Sequence, residues 1–174
     1  VANDIFDMYY TRYKFHRDIY NHKAVKSIEL MIGDIMLESN DVYNYPGVLG
    51  TDDFIGLDDT ILTRIKYNKE PCLTGCKQLI KRIEKRDIYK LVYTGNSESL
   101  ESVKDRILDG NTDLREEDYH FIEMNFDFCN GSESPFHNIN FYRNEDTKIL
   151  HNNLNIIKLV PNNFKETVVS VYKK

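Results

Sequence analysis

The sequence predicts an α+β fold, in which a long N-terminal helix and further helices precede a small, mainly antiparallel sheet. Three observations carry this reading. Apolar residues recur at helical spacing through the first part of the chain, period-two alternation begins only after residue 86, and the connections between segments are short. Helices first and strands later argue against a doubly wound parallel sheet.

Met8, Phe15, Ile19, Val25, Ile28, Met31, Ile32 and Ile35 mark one helix over residues 4–38, uninterrupted by proline. Pro46, Gly47 and Gly50 place a loop over residues 40–51. Leu57-Asp58-Asp59-Thr60 opens a second helix through Lys66, its aspartates read as a cap in preference to a Mg²⁺-binding pair. A third helix covers residues 74–85. A strand over 88–94 is closed by Gly95-Asn96, a helix over 100–108 by Gly110, and a strand of alternating Phe, Ile and Met runs over 119–129. Asn130-Gly131-Ser132 fits a glycosylation sequon, but an Asn-Gly pair between strand-like runs is read as a turn. Short strands over 139–143 and 167–172 complete the chain. Residues 1–85 form the mainly helical part and residues 86–174 the α+β part.

With 174 residues, the chain can bury about 70% of the surface it exposes unfolded, enough for one self-sufficient core. It is a single domain or part of a larger one, and its ends, directly in a helical pattern and just after a strand-like run, read as those of an excised piece. The net charge of −5 excludes a broad basic surface for duplex nucleic acid, so a nucleotide partner should be small. The tyrosines and one basic run are compatible with single-stranded nucleic acid, but aromatic residues more often fill cores, and nucleic acid is not taken as the partner. No apolar run approaches the roughly 18 residues of a membrane span, and the N-terminus lacks the pattern of a signal peptide. The odd number of cysteines, Cys72, Cys76 and Cys129, suits a reducing compartment. An intracellular protein of cytoplasm or nucleus is expected. Cys72 and Cys76 lack a second ligand pair at zinc spacing, so no metal is expected there.

Two constellations carry chemistry. On a continuous helix Arg12, His16, Tyr20 and Lys23 fall within roughly 80° of each other. A guanidinium, an imidazole, a phenol and an ammonium are all donors suited to polyphosphate oxygens, whereas a solvated helix normally mixes Glu and Lys. His22 lies about 100° round from His16, so one helix can serve two sites. The second constellation is Lys81, Arg82, Lys85, Arg86 and Lys90. In strand geometry positions 86, 88 and 90 share a face, which points two cations at one ligand; complementing the helix dipole is the competing role for the run.

These residues bear a wider resemblance. DMYYTRYKFHRDIYNHK resembles the D-M-F-x-x-R-x-x-x-H-x-x-x-Y-x-H-K pattern of the SAM-domain and HD-domain deoxynucleoside triphosphate triphosphohydrolase family, matching at Asp7, Met8, Arg12, His16, Tyr20, His22 and Lys23. LDDTILTRI, LIKRIEKRDIYKLV, HNINFYRN and LVPNNFKETVVSVYKK continue the resemblance in order along essentially the whole chain.

The resemblance implies that the chain is the C-terminal half of an HD-type phosphohydrolase. Such a parent cleaves a dNTP to deoxynucleoside and triphosphate, using a divalent metal ion (Mg, Zn, Fe or Mn) held upstream of this segment. It implies that Arg12, His16 and Tyr20 line the pocket for substrate triphosphate and sugar, with Asn21 at the deoxyribose edge. It further implies that His22, Lys23, Arg86, Lys90 and Arg143 belong to an activator site between subunits, where GTP or dGTP drives tetramer assembly. The chain contains no His-Asp dipeptide. No catalytic residue or metal ligand is therefore expected in it, and alone it should be inactive. It departs from the family pattern at Asp18 and Asn144, where basic residues are expected. The alternative reading is a non-catalytic nucleotide-binding or assembly module.

Overall fold

The computed structural model describes residues 2–109, 115–139 and 163–174. Its elements are helices α1 Ala2–Lys14, α2 Lys23–Tyr43, α3 Tyr45–Val48, α4 Ile61–Tyr67, α5 Thr74–Glu84 and α6 Leu100–Asp109, with strands β1 Lys90–Asn96, β2 Tyr119–Asp127 and β3 Lys165–Lys173. Helices α1–α5 precede the sheet, and α6 lies between β1 and β2. They distribute into two compact units, one of residues 23–91 with 172–174, the other of residues 1–22 with 92–171. Among the described residues no helix is long and apolar enough to cross a membrane.

In the helical unit α5 packs against α2 and α4. On α5, Cys76, Leu79, Ile80 and Ile83 recur at offsets of three and four, so one stripe turns inward. Cys76 and Ile80 join Ile35, Ile65 and Leu73 in a buried cluster. Each such aliphatic side chain contributes about 1.5–3 kcal/mol on burial. Ser27, Met31, Ile35 and Ser39 form the buried ridge of α2. Its polar members are satisfied: the Ser27 hydroxyl donates to the Tyr89 carbonyl at 2.7 Å and the Ser39 hydroxyl to that of Ile35 at 2.7 Å. Burial pushes the Cys76 thiol up to about 11, so it behaves as a small apolar side chain. Ahead of α4, Asp58 Oδ1 accepts from the Thr60 backbone N–H at 2.9 Å. The aspartate thus closes a turn one step before the helix, whose N-cap position is Thr60 itself.

In the other unit the strands run in the order β1-β3-β2. The Ser97 N–H donates to the Thr167 carbonyl at 2.9 Å and the Phe128 N–H to that of Phe164 at 3.2 Å. Both neighbours therefore finish where β3 starts, and the sheet is antiparallel. Central β3 is buried from Val168 to Tyr172 on both faces, which explains its near-continuous apolar run. α6 covers one face through Val103, Val169 and Val171, with Tyr93, Tyr119 and Phe121 around them. The other face carries an aromatic cluster. Tyr13 of α1 stacks on Phe128 at 4.7 Å between centroids, Phe6 lies 6.4 Å from the same ring, and Phe164 meets it edge-on at 5.5 Å.

The expected single helix over 4–38 is corrected to three pieces. α1 ends at Lys14, Phe15–Tyr20 form a π-helical turn, and α2 begins at Lys23. The interruption is local: the Asn21 N–H reaches back to the His16 carbonyl at 3.2 Å, an i→i+5 bond, and the Asn21 side-chain amide donates to the same oxygen at 2.8 Å. The inward face of α1 also differs. Met8 of α1 is exposed, because the aromatic face of α1 meets the sheet instead, and Phe15 and Ile19 on the π turn and Val25 on α2 are exposed as well.

Smaller shifts follow from backbone conformation. α2 runs on to Tyr43 and stops where Asn44 turns left-handed, φ 47°. β1 starts at Lys90, two residues later than expected, and includes Gly95-Asn96; the left-handed residue after it is Ser97. The Asn-Gly turn holds, with the Glu133 N–H on the Asn130 carbonyl at 3.1 Å. Gly110 and residues 140–143 of the last predicted short strand but one lie outside the described residues.

Candidate functional site

The sequence-predicted residues fall on distinct supports. Arg12 lies on α1, His16 and Tyr20 on the π turn, Asn21 and His22 on the break after it, and Lys23 opens α2. The winding of a π turn differs from 100° per residue, so the continuous stripe drawn on one helix does not exist. Arg12, His16, Tyr20, His22 and Lys23 are nevertheless all exposed. Arg12, His16, Tyr20 and His22 belong to one compact unit and Lys23 to the other.

Their neighbours come from the sheet. His16 sets its ring edge-on to Phe126, with centroids 5.3 Å apart and planes at 72°. Tyr20 meets Phe15 edge-on at 6.5 Å. The Arg12 guanidinium donates to the Cys129 sulfur. Asn21 is half-buried, and because its amide nitrogen is engaged by the His16 carbonyl, it buttresses the turn.

Beside these residues lies a group of three that the sequence reading passed over. Arg17 addresses Glu166 of β3 with both arms, Nε to Oε2 at 2.9 Å and Nη2 to Oε1 at 3.2 Å. The Tyr13 hydroxyl donates to the same Oε2 at 2.7 Å, and Asp18 takes the remaining arm of Arg17 at 3.1 Å. This forked geometry is the strong form of ion pair. The Arg17 guanidinium holds the Glu166 carboxyl below its ordinary value. Burial first, and then the hydrogen bond to Glu166, push the Tyr13 phenol up to about 12. One signal was present in the sequence: Tyr13 and Arg17, four residues apart, are spaced to share a helix face, whereas Glu166, between Lys165 and Thr167 ahead of the apolar run, carries none.

Arg86 does not sit on a strand. It follows α5 in the left-handed region, φ 62°, so an alternation through residues 86, 88 and 90 has no basis. The Arg86 N–H donates to the Ile83 carbonyl at 3.0 Å and the Asp87 N–H to that of Arg82 at 2.9 Å. This pair of bonds is a Schellman ending, which normally places glycine where Arg86 stands. A side chain there costs about 1–2 kcal/mol. Arg82 supports the turn through Asp87 at 3.1 Å, and Arg86 and Lys90 are both exposed. Arg143 and Asn144 lie outside the described residues. Among the described residues no three His, Cys, Asp or Glu side chains gather in a way that could hold a metal ion.

The chain is similar to known proteins along nearly its whole length. The chain is 28% identical over 181 residues to the deoxynucleoside triphosphate triphosphohydrolase SAMHD1 homolog of Dictyostelium discoideum, an alignment covering 97% of this chain and 35% of that protein. With deoxynucleoside triphosphate triphosphohydrolase SAMHD1 of Homo sapiens it shares 27% identity over 203 residues, 99% of this chain and 32% of that protein. The family resemblance holds over nearly the whole chain. A putative HD domain-containing protein, L394, of Acanthamoeba polyphaga mimivirus is 28% identical over 160 residues, 80% of this chain. The chain spans about a third of the length of the curated relatives it matches. No family model matches it.

Two outcomes are expected. Arg86→Gly should raise the unfolding free energy by about 0.5–1 kcal/mol, relief of the left-handed side chain outweighing the added entropy of the unfolded chain, while Arg86→Ala should leave it nearly unchanged. Urea denaturation decides it. Glu166, with its folded pKa depressed, contributes stability that is present above the ordinary carboxylate value of about 4.3 and lost as pH falls through the folded value. Thermal melts between neutral and acid pH should therefore fall less steeply for Glu166→Gln than for the parent chain.

Proposed function

We propose that the chain is the C-terminal, substrate-contacting and nucleotide-regulated part of a dNTP triphosphohydrolase. The observation that carries this reading is the similarity, along 97–99% of the chain, to proteins named for that activity. It coincides with a set of exposed donors at the positions that match the family's motif. The reaction releases triphosphate from a dNTP, so its binding face must neutralise several phosphate oxygens at once.

Arg12 supplies the forked donor suited to bidentate phosphate contact, worth on the order of 1.5–3 kcal/mol. His16 adds a second nitrogen donor from the π turn, and Tyr20 offers a ring face and hydroxyl to the sugar. Asn21, tied to the His16 carbonyl, holds the edge of that pocket. His22, Lys23, Arg86 and Lys90, with Arg143, form the activator-nucleotide set. Bound GTP or dGTP favours the tetramer, and a coupling of roughly 1–3 kcal/mol changes affinity 5- to 150-fold. The metal-bound nucleophile belongs to an HD segment outside these 174 residues, in which no His-Asp pair occurs. The metal would supply an activated hydroxide there.

Sedimentation of the chain with and without dGTP and GTP tests the proposal. A nucleotide-dependent rise in mass is expected, weakened in Arg86→Ala; an unchanged mass in both chains, with folding intact, counts against the activator assignment. A triphosphohydrolase assay with added divalent metal should show no turnover by the chain alone. Measurable turnover would place the catalytic centre within it and overturn the assignment of roles.

A further inference from the structure

The π turn that carries His16 and Tyr20 is an unusual support for a binding site. A π-helical turn is rare, found mostly as a single-turn bulge and frequently at functional sites, so something outside the turn should fix its register. That something is visible on β3. Glu166 receives both arms of Arg17 and the Tyr13 hydroxyl. Arg17 lies within the turn, next to His16, and Tyr13 lies just before it.

We propose that Glu166 is a positioning residue for the nucleotide site, holding the π turn in register from the central strand so that His16 and Tyr20 face the ligand. This rests on the reading of Arg12, His16 and Tyr20 as substrate contacts. The anchor is rigid: β3 is paired on both edges and buried on both faces beyond Glu166. The carboxylate is largely covered, with 21% of its side chain exposed, against 40% for Arg17. Two convergent donors from consecutive turns fix both the height and the rotation of the segment, which a single contact would not do. The Glu166 carboxylate itself touches no ligand in this scheme. It acts through Arg17 and Tyr13.

Two readouts on the full 174-residue chain test the proposal. The first is amide hydrogen exchange of Asn21, whose N–H closes the turn on the His16 carbonyl, against the amides of Val169 and Val171 as internal controls. The second is dGTP affinity measured in an Arg86→Ala background, so that the Arg12, His16 and Tyr20 site is the one read. In Glu166→Gln, Asn21 exchange should accelerate and dGTP affinity should fall, each about tenfold, the scale of a charged hydrogen bond. The two control amides should not change. Arg17→Lys, which keeps the charge and loses the fork, should reproduce part of both effects, and the swap Arg17→Glu with Glu166→Arg should restore them. Unaltered Asn21 exchange in Glu166→Gln and Arg17→Lys overturns the proposal. So does faster exchange with dGTP affinity intact, because the turn would then not matter to the ligand. A parent chain that binds no dGTP refutes the proposed function instead, and the exchange arm alone then decides whether Glu166 fixes the turn.

Discussion

The ion pair between Arg17 and Glu166 is the constraint on which the N-terminal segment depends. Residues 4–38 carry two local marks of one helix, apolar spacing and no proline, although Phe15, His16, Asp18, Ile19, Tyr20 and Asn21 at the break are weak helix formers. A forked contact of 2.9 and 3.2 Å, reinforced by Tyr13 at 2.7 Å, ties the segment to β3. The aromatic stack of Tyr13 on Phe128 seats the same face of α1. Tyr13 and Arg17 are both held by one carboxylate, and the residues after Lys14 wind as a π turn that Asn21 closes.

This explains what the sequence could and could not reveal. Periodicity located the helices of residues 23–91 well, because their stripes face one another within a single cluster around Ile35, Ile65 and Ile80. It located β2 and β3 within a few residues for a similar reason: alternation in β2 and the unbroken Val168–Val171 run of β3 reflect an outer and a central strand. It failed at residues 15–22, where the deciding partner stands nearly 150 positions away in the chain. A carboxylate from the central strand leaves no mark on a helical periodicity. Of the candidate site, the donors were proposed from their chemistry and spacing, and the continuous helix that spacing assumed is broken by the π turn. Arg12, His16, Tyr20, Lys23, Arg86 and Lys90 are exposed as their chemistry demands, but not through the stripe or the strand face that first grouped them.

Asp18 gains a physical account from the same group. The family pattern calls for a basic residue at this position, where a cation could serve a nucleotide phosphate. Here the Asp18 carboxylate lies 3.1 Å from Arg17 Nη1, so Arg17 faces acids on two sides. Its guanidinium is thereby shared between Glu166 of β3 and the neighbouring Asp18, all three of its contacts going to carboxylate oxygens.

Arg86 presents the opposite case, a residue whose local conformation works against it. The bonds of Ile83 and Arg82 to the two following N–H groups define a helix ending that glycine would make without strain. Arginine is held there at φ 62° by those bonds and by the Arg82 to Asp87 pair, which closes the turn independently of the Arg86 side chain. The guanidinium adds nothing to the packing of α5, since it is exposed. The side chain at this position therefore costs about 1–2 kcal/mol that no contact of the guanidinium within α5 offsets, and the ending is held by its backbone bonds and the Arg82 to Asp87 pair.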